Sequence, residues 1–247
     1  MGAGHSFPAV SVVLSMTTVP WRLHDEFATR IIQLMHGLPK NVQLHLNVPL
    51  FLTRKQMAYP AIPAVIQTHP RIHVFRTPDY GPITKVIPTL ERLLFTNAIV
   101  LILDDDNFYS HTFIRRVLEN TTSYTQTIRS KIGDWHGQQF PQGYAGIVLP
   151  MLLMTPAIIA DLKRAVHNTF SPCFTSDDFV MGVVFTQHGL QFTNFAIEKF
   201  GTTDFDNKLS RADAQALWRQ NHYVAYAKCQ CELRAITASS SSSAGRT

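Results

Sequence analysis

Residues 98–103 read Ala-Ile-Val-Leu-Ile-Leu, an unbroken apolar run rich in β-branched side chains, and they end abruptly on Asp104, Asp105 and Asp106. A strand with no polar face must be covered on both sides, which is the situation of a central strand in a parallel sheet layered between helices. The remaining periodicity agrees. Short apolar runs at 9–14, 42–48 and 72–75 alternate with segments whose apolar residues recur at helical spacing. Phe27, Ile31, Ile32 and Met35 line one face of a helix predicted over 21–38, begun at Pro20. Val86, Ile87, Leu90, Leu93 and Leu94 line another over 84–95, where Pro88 is tolerated only in the first turn. Further helices are predicted over 110–127, 156–166, 176–188, 212–221 and 223–236, with a strand over 144–154; the periodicity fails over 130–142, which reads as a loop. No repeat or linker divides the chain. A single α/β domain over 1–238, with a mixed, mostly parallel central sheet flanked by helices, is therefore expected, followed by a disordered serine-rich tail at 239–247.

Composition narrows the function. Lysine and arginine number 22 against 17 aspartates and glutamates, a net charge of +5 that is scattered along the chain. No nucleic-acid-binding arm is expected, and the mild excess suits a small anionic ligand as well as it suits ordinary solubility. Cys173, Cys229 and Cys231 are too few for a disulfide framework and poorly spaced for zinc, so a reducing compartment and a cytoplasmic location are expected. Residues 1–8 carry no basic segment leading into an apolar one, so no secretory signal is expected. The most apolar stretch, 146–160, is interrupted by Pro150 and Pro156 and is shorter than the roughly 20 residues a bilayer requires, so no membrane span is expected. The Asn120-Thr121-Thr122 sequon falls within a predicted helix.

The chemistry gathers where strands end. Ligands of open α/β sheets bind outside the carboxyl ends of strands, the position of Asp104, Asp105 and Asp106. Three adjacent carboxylates repel one another unless a cation neutralises them, and carboxylate oxygens suit Mg²⁺ or Mn²⁺. An aspartate-rich turn that merely ends a strand is the bland alternative. Asp177 and Asp178 follow Ser176 at the start of a predicted helix, where a cap and the helix dipole explain them structurally and general-base catalysis explains them functionally. Asp79, Gly81 and Pro82 are ordinary turn residues, while Lys85 is either a solvated helix residue or an ammonium facing Asp104 or a diphosphate. Glycines in Gly143-Tyr144-Ala145-Gly146 permit a close backbone approach to a ligand but are common at strand entries.

Taken in order, Ser-Met-Thr-Thr-Val-Pro-Trp-Arg at 15–22, Asp-Tyr-Gly-Pro-Ile-Thr-Lys at 79–85, Leu-Asp-Asp-Asp at 103–106, Gly-Tyr-Ala-Gly at 143–146 and Ser-Asp-Asp-Phe at 176–179 resemble a GT-A-fold, DxD glycosyltransferase. The set is similar to small enzymes of the kind chloroviruses encode for capsid glycosylation, with bacterial and protist relatives, over roughly residues 9–195. The resemblance implies a Rossmann-like GT-A sheet and transfer of a sugar from a nucleotide donor, a UDP-sugar being favoured, to a hydroxyl of a glycan or glycoprotein, with inversion. It implies that the 15–22 loop, with Ser15, Thr17, Thr18 and Arg22, holds the nucleotide, and that Asp79 and Lys85 lie beside base, ribose or diphosphate. Asp104 and Asp105 would contact the donor, Asp106 with Asp104 would ligate Mn²⁺ or Mg²⁺, Gly146 would shape the donor-sugar pocket, and Asp178, or failing it Asp177, would be the acceptor's base. Such enzymes often carry another metal or diphosphate contact near the C-terminus; His188 and His222 are candidates without an assignment. The aromatic and amide side chains at 135–140 are expected to meet the acceptor. Two other readings compete: a haloacid-dehalogenase-type phosphohydrolase, disfavoured by Phe108 and by the central placement of the strand, and a non-catalytic module that binds nucleotide-sugar.

Overall fold

A computed structural model describes residues 11–119, 121, 126–194, 205–206 and 222–243. Its main sheet has seven strands: β1 (Val12–Thr17), β2 (Val42–Pro49), β3 (Ile72–Thr77), β4 (Ile99–Ile102), β5 (Ile128–Ser130), β6 (Ile147–Pro150) and β7 (Phe192–Asn194), in the spatial order β7-β5-β6-β4-β1-β2-β3. β1 pairs in parallel with β2 and β4, as do β2 with β3 and β5 with β7. β6 alone runs against its neighbours β4 and β5, with Ile147 opposite Ile102. That reversal carries the loop entering β6 to the edge where β1–β4 finish. The mixed, mostly parallel sheet is the class expected.

Helices cover both faces, as the apolar β4 demands. α1 (Asp25–His36) and α3 (His111–Glu119) bury Phe27, Ile31, Met35, Phe113, Ile114 and Val117 against Leu14, Leu44, Leu46 and Leu101. On the other face α2 (Ile87–Leu93), α4 (Pro156–Ala165), α5 (Asp177–Gln187) and α6 (His222–Ser243) pack against Val100, Ile102, Ile147 and Leu149. Thr155 caps α4 by accepting the Ile158 N–H at 3.2 Å, and Pro88 occupies the first turn of α2, where its missing N–H costs nothing.

Several expectations are corrected. β1 extends to Thr17, so Ser15 and Thr17 belong to the strand and not to a loop after it. The predicted helix after Pro20 is split: a single 3-10 turn at Pro20–Arg22 precedes α1. The segment read as a loop begins on the last residue of β5 and contains an antiparallel hairpin, Ile132–Trp135 with Gln138–Pro141, turned at His136 and Gly137, both of positive φ. Its buried residues are the adjacent Phe140 and Pro141, so no apolar alternation marks it as a strand. α3 ends at Glu119, earlier than expected; Asn120, Thr122 and residues 212–221 lie outside the described residues. α6 runs from His222 to Ser243.

Cysteine arithmetic also misled. Cys173 and Cys229, 56 residues apart, form a disulfide that ties the short 3-10 helix Pro172–Thr175 to α6, while Cys231 is free and exposed. Closing a loop of that length stabilises by about 4 kcal/mol in a chain-entropy account. Disulfides persist in oxidising surroundings, so the three cysteines do not indicate a reducing, cytoplasmic setting. Among the described residues no helix is long and apolar enough to cross a membrane.

Candidate active site

The ends of β1 and β4, the loop into β6 and the start of α5 converge on one acidic edge. Lys85 ends the 3-10 turn Ile83–Lys85 and is only 5% exposed. Its Nζ donates to Asp104 Oδ1 at 2.5 Å and lies 2.7 Å from Asp177 Oδ2. Burial opposes its charge, but Asp104, Asp177 and Asp178 together outweigh that and hold the ammonium well above the ordinary lysine range. The solvated-helix reading of Lys85 is thereby excluded.

Ser15 explains how Lys85 is placed. Its Oγ donates to the Lys85 carbonyl at 2.5 Å and meets Thr89 Oγ1 at 2.7 Å, and Asn47 Nδ2 donates to both hydroxyls, at 3.2 and 2.9 Å. Arg92 closes this network by donating to Asn47 Oδ1 while stacking 3.6 Å over the Phe75 ring. Fully buried and committed internally, Ser15 supports Lys85 and does not face a nucleotide. Thr17 likewise donates to the Asn47 carbonyl at 2.7 Å. Thr18 and Arg22, by contrast, stand over the aspartates. Thr18 Oγ1 donates to Asp105 Oδ2 at 2.7 Å, Arg22 Nη1 lies 2.5 Å from Asp105 Oδ1, and Arg22 Nη2 lies 3.2 Å from Asp106 Oδ2. Burial, then the charges of Asp105 and Asp104, push the Asp106 carboxyl up to about 7.

Asp178 is disposed differently from Asp177. Its Oδ2 accepts the Gly143 N–H at 3.0 Å, whereas its Oδ1 is buried with no hydrogen-bond partner. Burial foremost, and the neighbouring Asp177 charge, raise its carboxyl well above the usual range. A Cβ built on Gly143 would lie 2.9 Å from Asp178 Oδ1, 3.1 Å from Lys85 Nζ and 3.4 Å from Asp104 Oδ1, so Gly143 borders all three. Gly146 does not: its φ of +81° serves the turn, and its open side faces Leu101 and Leu103. Tyr109, 5% exposed, joins the aspartate turn to this loop, accepting the Asp104 N–H at 3.2 Å and donating to the Tyr144 carbonyl at 3.0 Å.

Asp79 lies on the far flank, accepting Thr53 N–H at 2.7 Å and Gly81 N–H at 2.9 Å. An open cavity of about 490 Å³ adjoins it, lined also by Leu50, Phe51, Arg76 and Thr77. Nearby, Arg54 keeps Nε and Nη1 buried without a hydrogen-bond partner. Desolvation lowers its proton affinity, while Asp79, Tyr59 and Asp105 oppose that. Arg54, Tyr59 and Tyr109 were not singled out from sequence, because nothing in their local context sets them apart from surface or core residues.

The turn at Gly81 (φ +70°) is also a packing constraint: an added Cβ would fall 2.2 Å from the Phe174 carbonyl oxygen, in the 3-10 helix that leads to Asp177. Gly81→Ala is expected to destabilise by at least about 1–3 kcal/mol, read as a lowered urea midpoint at unchanged slope. His188 does not meet the acids: it pairs with Asp161 of α4 at 2.9 Å. The backbone of His222 opens α6. Trp135 packs edge-on to Tyr226 and is half-buried, whereas Phe140 is buried between Phe179 and Tyr226 and presents no free face.

The acidic edge fits a divalent cation in charge. Asp104, Asp105, Asp106, Asp177 and Asp178 gather there, and among the described residues the cations paired directly with the first four are Lys85 and Arg22. No three acid, histidine or cysteine side chains there form a ready-made cage. An ion held by one or two carboxylates and completed by phosphate oxygens needs none.

No protein-family model and no curated protein matches the chain. Among solved structures, 4-diphosphocytidyl-2C-methyl-D-erythritol synthase from Anaerococcus prevotii is similar at 11% identity and a TM-score of 0.47, covering 91% of this chain and 98% of that one. A mannosyltransferase from Pyrobaculum calidifontis, in complex with GDP-Man and Mn²⁺, is 12% identical with a TM-score of 0.46, covering 92% and 75%. S. aureus TarS is 10% identical with a TM-score of 0.48; the chain covers 35% of its length.

Proposed function

We propose that the chain is a metal-dependent glycosyltransferase that moves a sugar from a nucleoside-diphosphate donor, UDP-sugars being favoured, to a hydroxyl of a glycan or glycoprotein with inversion. The observation that carries this reading is the division of labour at one sheet edge. Asp178 keeps a buried oxygen without a hydrogen-bond partner, while beside it at Gly143 Lys85 pairs with Asp104 and Asp177, and Arg22 pairs with Asp105 and Asp106. General-base work and stabilisation of a leaving anion need those two environments side by side.

In this reading the cavity beside Asp79 receives the nucleoside, and Thr18, Arg22 and Arg54 face its phosphates. Asp106, with Asp104, would hold Mn²⁺ or Mg²⁺, which when bound neutralises the charge that builds on the departing diphosphate. Lys85 adds a fixed positive charge to the same region and keeps Asp104 oriented. The Gly143 N–H steadies Asp178 Oδ2, so that Oδ1 takes the proton of the acceptor hydroxyl. The acceptor oxygen bonds to the anomeric carbon as the sugar–phosphate bond breaks, and the bonding electrons leave with the diphosphate. Attack opposite the leaving group inverts the configuration.

The test is nucleoside-diphosphate release from a panel of UDP- and GDP-sugars with Mn²⁺, with and without EDTA. Release by wild type that EDTA abolishes and that Asp106→Asn lowers by at least about 100-fold is the expected result. No release from any donor, together with unchanged Mn²⁺ affinity in Asp106→Asn, would remove both the activity and the metal site.

A further inference from the structure

Arg22 belongs to the one-turn helix Pro20–Arg22, yet its guanidinium reaches across to two carboxylates of the β4 turn, Asp105 at 2.5 Å and Asp106 at 3.2 Å. All three side chains are no more than 16% exposed, so solvent screens these charges weakly. Asp106 is the residue to which the proposed function assigns the divalent cation. A cation there and the guanidinium would contend for one carboxylate, and their positive charges would repel at close range. Asp104, whose Oδ1 is already engaged by Lys85, has only its other oxygen to offer a cation, so Asp106 is the carboxylate for which the ion and the guanidinium compete.

Resting on that functional reading, we propose that Arg22 is a counter-ion gate: it neutralises Asp105 and Asp106 while the site is empty, and it must leave them for a divalent cation to bind. What draws it away is the donor's diphosphate. Thr18, which donates to Asp105 beside it, lies on the same turn-bearing segment, and Arg54 stands near with two unpartnered N–H groups. Phosphate oxygens entering there give the guanidinium a new anionic partner at the moment the metal takes its old one. Metal and nucleotide therefore bind cooperatively. The ion alone pays for displacing Arg22, the diphosphate compensates for it, and by linkage each raises the affinity of the other by the same factor. Arg22 is thus a positioning and gating residue.

Mn²⁺ binding, followed by electron paramagnetic resonance with and without UDP, reads this directly in wild type, Arg22→Gln and Asp106→Asn, with circular dichroism showing that each variant is folded. Wild type is expected to bind Mn²⁺ weakly alone and tightly with UDP. Arg22→Gln is expected to bind Mn²⁺ alone roughly 10-fold more tightly and to lose a similar factor of the UDP enhancement. Unchanged Mn²⁺ affinity in Arg22→Gln, with Asp106→Asn impaired, overturns the gate and leaves the metal site standing. Equal Mn²⁺ affinity in wild type and Asp106→Asn overturns the metal site and the gate with it.

Discussion

Lys85→Met is expected to lose both stability and turnover. The ammonium is buried against Asp104 and Asp177, and methionine fills its volume without its charge. Breaking a buried ion pair by removing one partner costs about 3–5 kcal/mol, because the surviving carboxylates stay desolvated and uncompensated. In a domain of this size that lowers the melting temperature by roughly 10 °C. The sign with pH is fixed by the pairing. In wild type the raised lysine contributes stability at all pH values below the ordinary lysine range, provided its acids are ionised. The orphaned acids of the variant can escape by protonation, so its deficit should be smaller at pH 5 than at pH 8 in urea titrations. An equal deficit at both would mean that the ammonium is not paired with the acids.

Asp178→Asn should separate activity from stability. The amide keeps the shape, and its oxygen still accepts the Gly143 N–H, but under the proposed function it removes the base that takes the acceptor's proton, so turnover is expected to fall by about 10²–10⁴. Stability should move the other way. An acid whose folded pKa is raised binds its proton more tightly folded than unfolded, so the folded state loses stability as pH climbs from the ordinary carboxylate range through the raised value. The neutral amide escapes that loss. Asp178→Asn should therefore melt above wild type at pH 8, with the gap closing toward pH 4. A variant that retains turnover would transfer the base to another group, and one that melts below wild type at pH 8 would show that Asp178 is stabilised, not strained, as an anion.

The elements that sequence periodicity located are those with a continuous or regularly repeating apolar face. β2, β4, α4 and α5 all fall close to where their side chains place them, because a strand buried on both sides or a helix with a repeating stripe leaves a local imprint. The hairpin at 132–141 left none, since its burial is conferred by α5 and Tyr226, which are remote in sequence. The candidate site divides the same way. Asp104, Asp105, Asp106, Asp177, Asp178 and Lys85 were legible because charged residues clustered at strand and helix ends demand a partner or a purpose. Ser15 is not legible as a support for Lys85, because in sequence a hydroxyl two residues from a strand's end looks the same whether it faces outward or supports a lysine.

By itself the sequence determined the layer architecture and the position of the acids, since both follow from local patterns of burial and charge. Only tertiary structure decided which acid pairs with which cation. Reversal of β6 brings Gly143 to the end of β4, where its N–H singles out Asp178 and leaves Asp177 to Lys85. The link from Cys173 to Cys229 was equally invisible, because contacts between residues tens of positions apart depend on how the helices pack over the sheet and leave no mark at either position alone.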